Sequence, residues 1–191
     1  MGRLTETQQK SSAGRLFGVS KITVDGVDYM TRIWVGRLRL HIFHRGEVGE
    51  DHHDHPWDFW TFPFTSYVEE VLEPIRETLA YTPDGTPITD IKPRYYKRTQ
   101  VVKAWRLHKR PAEHSHRVLG RAKRLGSGGG FIHQFVHIGW RLVPGKIVTV
   151  VWQGGIRRKW GFTKNRDGKW CWVGWKQYTL EGGREAPCSE D

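Results

Sequence analysis

The chain has 191 residues, a length that suits a single domain. It carries 31 Lys and Arg against 20 Asp and Glu, and the net charge of +11 favours encounters with anionic partners without identifying one. Ten Trp and 13% aromatic residues exclude an intrinsically disordered chain. No signal-peptide pattern and no run of 18 apolar residues occurs, so we expect a cytoplasmic protein without a membrane partner.

The ends of the chain differ from the middle in composition and in apolar periodicity. Residues 1–14 are small and polar without apolar periodicity, which predicts a disordered N-terminal tail. Residues 15–180 alternate apolar and polar side chains and predict one β-rich domain. Residues 181–191 lack periodicity and predict a loose C-terminal tail.

Alternating segments begin near residue 22. Residues 22–29 flank Asp25-Gly26, a two-residue turn signal that predicts a β-hairpin. In residues 37–44, Leu38, Leu40 and Ile42 alternate with polar side chains, which predicts a half-buried strand.

A histidine cluster follows this strand. In an extended segment alternate side chains share a face, so His53 and His55 point the same way, roughly 6–7 Å apart. Two imidazoles at that spacing can converge on one divalent metal, which then needs at least one more ligand from elsewhere. Glu69 and His116 are the candidates. The alternative is a hydrogen-bonded pair of core histidines without a metal.

The remaining segments again predict strands. Residues 57–64 are strongly aromatic and are expected to line the wall behind the cluster. Residues 110–130 are basic and end in a glycine run, which predicts a long mobile loop, although no Walker-type lysine supports phosphate binding there. We find no amphipathic helix. Many short strands with turn signals every eight to twelve residues predict an all-β sandwich or barrel.

Four motifs occur along the chain in this order: His-x-His-Pro-Trp-x-Phe, Tyr-x-Glu, His-Arg-Val and Trp-Gly-Phe. They are His53 to Phe59, Tyr67 to Glu69, His116 to Val118, and Trp160 to Phe162. The pattern resembles the cupins, and most closely small cupin-like proteins of phages and bacteria that mostly lack assigned functions. The resemblance covers residues 35–178. It implies a double-stranded β-helix (jelly-roll) barrel holding one metal ion, with His53, His55, Glu69 and His116 as its ligands.

Two departures from that family stand out. Cupins place a glutamate beyond the second histidine after three to four intervening residues, whereas Phe59 and Trp60 stand at those positions in this chain. The carboxylate role would therefore pass to Glu69, with Glu70 as its rival. Residues 120–143 look like an insertion between the third histidine and the last barrel strands.

Three imidazoles and one carboxylate leave open positions on a metal that accepts five or six ligands. Fe²⁺ suits this set best, with Mn²⁺, Ni²⁺ and Zn²⁺ as alternatives. The resemblance implies either a dioxygenase-type oxygenase or a Lewis-acid hydrolase or isomerase, and whether the protein is an enzyme stays open. Dependence on 2-oxoglutarate is disfavoured, because that chemistry usually places Asp or Glu where this chain has His55.

A small anionic or nucleotide-like substrate fits the basic composition. Arg106, Arg117 and Arg158 are candidate anion clamps beside Trp57, because guanidinium matches carboxylate and phosphate; ordinary ion pairs are the alternative. A different hypothesis is a non-catalytic module that binds nucleic acid, a nucleotide or a protein partner. Such a module would suit a phage accessory protein in the host cytoplasm. The resemblance also suggests a homodimer.

Overall fold

The structure is a computed structural model that describes residues 4–8, 16–24, 26–75, 94–125, 135–137, 139–166 and 168–180. Within these residues the chain forms fifteen strands and one short helix. They are β1 (Leu4–Gln8), β2 (Phe17–Val24), β3 (Val27–Val35), β4 (Leu38–Phe43), β5 (His52–His53), β6 (Phe59–Pro63), β7 (Tyr67–Pro74), β8 (Tyr95–Val102), β9 (His108–Arg110), β10 (His116–Arg124), β11 (Phe135–His137), β12 (Trp140–Val143), β13 (Ile147–Gln153), β14 (Gly161–Arg166), β15 (Lys169–Gly174) and α1 (Trp175–Leu180). The predicted all-β class is confirmed.

The strands form two antiparallel sheets, one of which is nearly closed into a barrel. The first sheet has the order β1-β2-β3-β4-β13-β6-β9. The second has the order β11-β12-β10-β5-β14-β15, and β7 joins it by pairing with both β10 and β8. Strands far apart in the sequence are thus neighbours, as in a jelly roll.

The main hydrophobic core lies between the two sheets. Its buried members are Val24, Tyr29, Met30, Phe43 and Ile147 from the first sheet, and Tyr67, Val102 and Val118 from the second. Ile147 is 1% exposed, and full burial of such a side chain contributes roughly 1.5–3 kcal/mol. Because both sheets supply this cluster, their inner faces are held against each other.

The predicted N-terminal hairpin is formed by β2 and β3, which pair as far as Val24 and Val27. At its turn Gly26 has a φ of +73°, a conformation that glycine adopts without strain. The structure differs from the predicted disordered tail at residues 4–8, which form β1 and pair along β2. The rest of residues 1–14, and the predicted tail at 181–191, lie outside the described residues.

Much of the basic region that was predicted to be a mobile loop is β10, so that prediction was wrong for residues 116–124. Val118 and Ala122 are buried, while Arg121 and Lys123 between and beyond them are exposed, and this charge hid the alternation. The strand pairs with β7 along its first half and with β12 along its end. The described parts of residues 120–143 therefore belong to the second sheet, and the glycine run at 126–130 lies outside the described residues.

The sequence predicted no helix, and α1 is a correction to that expectation. It follows β15 directly, and its Tyr178 stacks on Phe162 of β14 with ring centroids 3.9 Å apart. Tyr178 also donates a hydrogen bond of 2.8 Å to Asp51. Along the described ranges, no helix is long and apolar enough to cross a membrane.

Candidate metal centre

The short strand β5 places the first histidines in the middle of the second sheet. His53 pairs across the sheet with His116 on one side and with Phe162 on the other. Directly opposite residues have Cα atoms roughly 4.5–5.5 Å apart. The register therefore makes His53 and His116 neighbours, although 63 positions separate their numbers.

Three imidazoles converge at this point. The nearest ligand atoms of His53, His55 and His116 all lie within 4.8 Å of one another. Their ring centroids are 5.1, 4.8 and 5.3 Å apart, and Nε2 of His55 lies 3.1 Å from Nε2 of His116. Two nitrogens that each lie about 2.1 Å from one metal ion are themselves roughly 3–4 Å apart. The cluster has the dimensions of a metal centre.

The other nitrogen of His116 faces Glu69. Nδ1 of His116 lies 2.9 Å from Oε2 of Glu69 in a buried contact. The pKa of Glu69 is well below its usual range: burial opposes this, but hydrogen bonds from His114 and His116 and the charge of Arg110 outweigh it. An ionised carboxylate can only accept, so Nδ1 carries the proton. Nε2 of His116 is left with a lone pair that points at His55.

Glu69 is fully buried, and its second oxygen already has several partners. Oε1 accepts from Gln100 at 2.6 Å and from Arg110 at 2.7 Å, and Nε2 of His114 lies 3.4 Å away. Glu69, His114 and His116 form a second group at ligand spacing. The Arg110 guanidinium opposes a cation there, so the three-histidine group is the better centre.

The neighbouring Glu70 points to the opposite face of β7. Its Oε1 lies 3.0 Å from Nε2 of His52 and accepts from Nε of Arg117 at 2.9 Å. Successive residues of a strand face opposite sides, so only one of the two glutamates can reach His116. Of the two rivals, Glu69 lies beside the three histidines.

The protonation states favour ligation. Burial, together with the charges of His53, His116 and other histidines, holds the pKa of His55 well below its usual range. Burial lowers the pKa of His116 to about 4, although Glu69 opposes the shift. Both rings are therefore neutral at pH 7, the form that binds metal ions.

His53 differs because a carboxylate lies beside it. Nδ1 of His53 is 3.5 Å from Oε2 of Glu47, and Tyr29 donates to Oε1 of Glu47 at 2.7 Å. Burial lowers the pKa of His53, but the charge and hydrogen bond of Glu47 outweigh it and the pKa is raised. The centre thus contains a negative charge that the sequence did not reveal.

A close backbone approach positions Glu47. Its amide donates to the carbonyl of Val118 at 2.7 Å, next to the start of β10. A Cβ on Gly46 would lie 2.1 Å from the carbonyl oxygen of Leu119, so only glycine fits there. The pair of Gly46 and Gly49 in this loop was the only sequence signal that the backbone passes so close.

Asp54 fixes the loop that carries His53 and His55. Its Oδ1 accepts from the amide of Gly161 at 2.7 Å, and its Oδ2 accepts from Arg158 at 2.8 Å and from the indole of Trp172 at 3.0 Å. A Cβ on Gly161 would lie 2.1 Å from the carbonyl of Val173. This network anchors the histidine loop to β14 and β15.

The predicted anion clamps form no bond to the three histidines among the described residues. Arg117 bonds Glu70 and the carbonyl of Gly49, Arg158 bonds Asp54, and Arg106 lines a separate cavity near the end of β8. Trp57 is half-buried, and its ring makes none of the aromatic contacts found among the described residues. Among the described residues, no hydrogen bond or ion pair joins these four side chains to His53, His55 or His116, and their substrate role stays a prediction.

Aromatic rings and one more histidine surround the centre. Phe59 lies edge-on to His55 at 4.6 Å, and Phe162 lies 6.2 Å from His53. His41 shares the inner face of β4 with Phe43, and its buried Nε2 has no hydrogen-bond partner among the described residues. Burial, with the charges of Arg32, Arg39 and His53, holds the pKa of His41 well below its usual range. From the sequence, His41 was expected to have an ordinary packing or surface role, because it has no partner at ligand spacing within its own strand.

No protein-family model matches the chain, and no curated protein matches it. The structure is compatible with a cupin-like fold, since it combines a nearly closed all-β architecture with a buried cluster of His and Glu. The geometry of the three histidines is therefore the basis for assigning a function.

Proposed function

We propose that the protein is a cupin-like metalloprotein that binds one divalent ion through His53, His55 and His116. One observation carries the proposal: Nε2 of His116 faces Nε2 of His55 at 3.1 Å while its Nδ1 is committed to Glu69. A histidine whose far nitrogen donates to a carboxylate is a common metal-ligand arrangement, because the carboxylate fixes the tautomer and the ring orientation.

Glu69 acts in this proposal as the group that orients His116. Three donors, Arg110, Gln100 and His116, already occupy most of the acceptor sites of its two oxygens, which favours the orienting role over direct ligation. The sequence-based role of Glu69 as a ligand stays a prediction. Glu47 lies 3.5 Å from Nδ1 of His53 and supplies a negative charge that stabilises a cation beside the three imidazoles.

Fe²⁺ is the ion we propose first, followed by Mn²⁺, Ni²⁺ and Zn²⁺. Imidazole ligands suit all four, and three protein nitrogens leave positions open for other ligands. A divalent ion in such a site supplies either binding of dioxygen together with a substrate or Lewis-acid polarisation of a carbonyl or phosphoryl oxygen. Our proposal is a metal-dependent enzyme of one of these two classes.

The surroundings support a small substrate. His53 and His55 are only partly buried, so the centre is open to solvent on their side. Phe59 and Phe162 form an apolar wall beside the two rings. Nε2 of His41 has no hydrogen-bond partner among the described residues, so it can accept a proton. We propose a small anionic substrate on the basis of the net charge of +11.

The test is a metal titration of chelator-treated protein. Each of the four ions is added in turn, Fe²⁺ under anaerobic conditions, and calorimetry gives the stoichiometry while thermal unfolding gives Tm. We expect one equivalent bound and a raised Tm, because a ligand at a hundred times its Kd stabilises the fold by about 2.7 kcal/mol.

Two variants sharpen this titration. His55→Ala should remove both effects, whereas His44→Ala should retain them, because His44 bonds Thr31 and lies outside the cluster. If none of the four ions raises the Tm of the unchanged protein, the proposal is wrong. If one does, oxygen consumption and hydrolysis of small esters and phosphates then distinguish the two enzyme classes.

A further inference from the structure

A second cavity lies at the far end of β10 from the histidines. It has a volume of about 650 Å³, and its wall includes Lys103, Trp105, Arg106, Arg124 and Trp140. Arg124 follows His116 by eight residues on the same strand, a separation of roughly 25 Å in extended chain. The cavity is therefore distinct from the metal centre, and its size suits one nucleotide unit.

The wall of this cavity is strongly basic. Lys103, Arg106 and Arg124 are exposed, and none of them forms an ion pair within the described parts of the chain. The described lining contains no acidic side chain. Cations gathered on one wall without an acidic neighbour repel one another, and a bound polyanion would offset this repulsion.

Trp105 presents a flat ring to solvent under backbone strain. It is 67% exposed, and it is the only non-glycine residue with positive φ in the described ranges, at 60°. Its amide donates to the carbonyl of Pro63 at 2.9 Å, and the amide of Ala104 donates to Ser66 at 2.9 Å. Two bonds thus hold a conformation that bulky residues avoid, and such strain clusters at functional sites.

The indole is held in position by other rings. It meets Phe64 and Phe62 at steep angles, with ring centroids 5.3 and 6.1 Å apart, and still leaves two thirds of the residue exposed. Proteins bind single-stranded nucleic acids with exposed aromatic rings beside cations: bases stack on the ring and phosphates contact the cations. An apolar ligand would not need the cations, and a duplex would not offer an unstacked base.

We propose that this cavity binds single-stranded nucleic acid, with a base stacked on Trp105 and phosphates held by Lys103, Arg106 and Arg124. The three cations come from the loop after β8 and from the end of β10, so they border the cavity on different sides. That distribution suits the successive phosphates of a strand. This site is independent of the proposed metal centre.

The test is fluorescence anisotropy of 5′-labelled dT12 with the full chain between 50 and 200 mM salt. Three phosphate contacts predict a slope of about −2 for log K against log salt, since each contact contributes about −0.7 in single strands. Arg106→Gln should weaken binding and make the slope shallower by about 0.7. Trp105→Gly should weaken binding roughly fivefold or more without unfolding the protein, because glycine accepts the positive φ.

Matched controls separate this site from general charge and from the metal centre. Arg37→Gln removes an exposed arginine from the turn before β4, and Trp152→Ala removes an indole that is 50% exposed on β13. Both should bind dT12 like the unchanged protein, and treating the unchanged protein with a chelator should not alter its dT12 binding. If Trp105→Gly lowers Tm, the dT12 affinities of Arg106→Gln and Lys103→Gln alone test the proposed site.

Three results would overturn the proposal. The first is equal loss of binding in Arg37→Gln and Arg106→Gln, which would indicate diffuse attraction. The second is dT12 affinity that changes in neither Trp105→Gly nor Arg106→Gln. The third is competition by dTMP as strong as that by dT12 at equal nucleotide concentration, which would indicate a mononucleotide site.

Discussion

His55 and His116 face each other through Nε2 atoms that are 3.1 Å apart, although 61 positions separate them in the sequence. The backbone maintains this contact, because the amide of His55 donates to the carbonyl of Ala112 at 3.0 Å, four residues before His116. This backbone bond places the segment that carries His55 beside the segment that leads into His116.

Replacing Glu69 by glutamine should weaken metal binding. The neutral amide no longer forces the proton onto Nδ1 of His116, and loss of such an orienting carboxylate typically costs 10–100-fold in affinity. The free energy of unfolding should also fall by roughly 3–5 kcal/mol, because Arg110 loses its buried partner. Competition with a fluorescent chelator, at a temperature where the variant is folded, measures the affinity.

Glu70→Gln is the matched control for that variant. Glu70 lies on the opposite face of β7, where it accepts a hydrogen bond from Arg117 and lies 3.0 Å from Nε2 of His52. The substitution should change stability while leaving the metal affinity within about twofold of the original. Equal losses of affinity in the two variants would mean that the orienting role is not specific to Glu69.

The stability of the metal-free protein should fall as the pH falls from 6.5 towards 4. Burial lowers the pKa of His116 and of His52 to about 4 and lowers that of His55 and His41 still more clearly, whereas unfolded histidine titrates near 6.5. In this window the unfolded chain binds more protons, which favours unfolding. The shift of His116 alone corresponds to about 3 kcal/mol.

His53 acts in the opposite direction, because Glu47 raises its pKa despite burial, and its contribution is lost as the pH rises. The four histidines with a lowered pKa outweigh the one histidine with a raised pKa. Urea unfolding in the presence of chelator at pH 7.5, 6 and 5 measures the result. A free energy of unfolding that is constant or increases towards pH 5 would show that these rings are not buried in the neutral form.

Gly46→Ala should destabilise the protein and disturb the position of Glu47. The new Cβ would lie 2.1 Å from the carbonyl oxygen of Leu119, so the loop must move, at a cost of roughly 1–3 kcal/mol or more. Gly155→Ala is the control, since a Cβ there meets nothing within 4 Å. Chemical denaturation compares the two, and similar small effects would contradict the close approach at Gly46.

Asp54→Asn should loosen the loop that carries the histidines. Asparagine keeps one acceptor oxygen, so it can serve either the amide of Gly161 or the donors of Arg158 and Trp172, and the other side meets an NH2 group. We expect a loss of roughly 2–4 kcal/mol in the free energy of unfolding, measured with urea. Asp58→Asn should cost less, because the Asp58 side chain is 23% exposed whereas that of Asp54 is 5% exposed. The reverse order would contradict the anchoring role.

Local periodicity explains what could be predicted. The alternation of side chains in an extended segment placed His53 and His55 on one face, and the turn signal at Asp25-Gly26 predicted the hairpin. These inferences needed only residues that are close in sequence. The same rule placed Glu69 and Glu70 on opposite faces, but it could not say which of the two faces meets His116.

Long-range register explains what could not be predicted. Glu47 reaches His53 because β10 passes Gly46 at close range, and His41 lies on another strand of the first sheet. No pattern within a short window encodes either contact. The charges of β10 concealed a strand because Arg121 and Lys123 dominate its composition, although Val118 and Ala122 are buried.

The measurement that tests the central claim most directly is elemental analysis of the protein purified without added metal or chelator, beside His55→Ala and His44→Ala. The account predicts close to one equivalent of a single divalent metal in the unchanged protein and in His44→Ala, and almost none in His55→Ala. Equal metal content in all three, or a metal-free parent that also fails to take up Fe²⁺, Mn²⁺, Ni²⁺ or Zn²⁺, would contradict a metal centre at the three histidines.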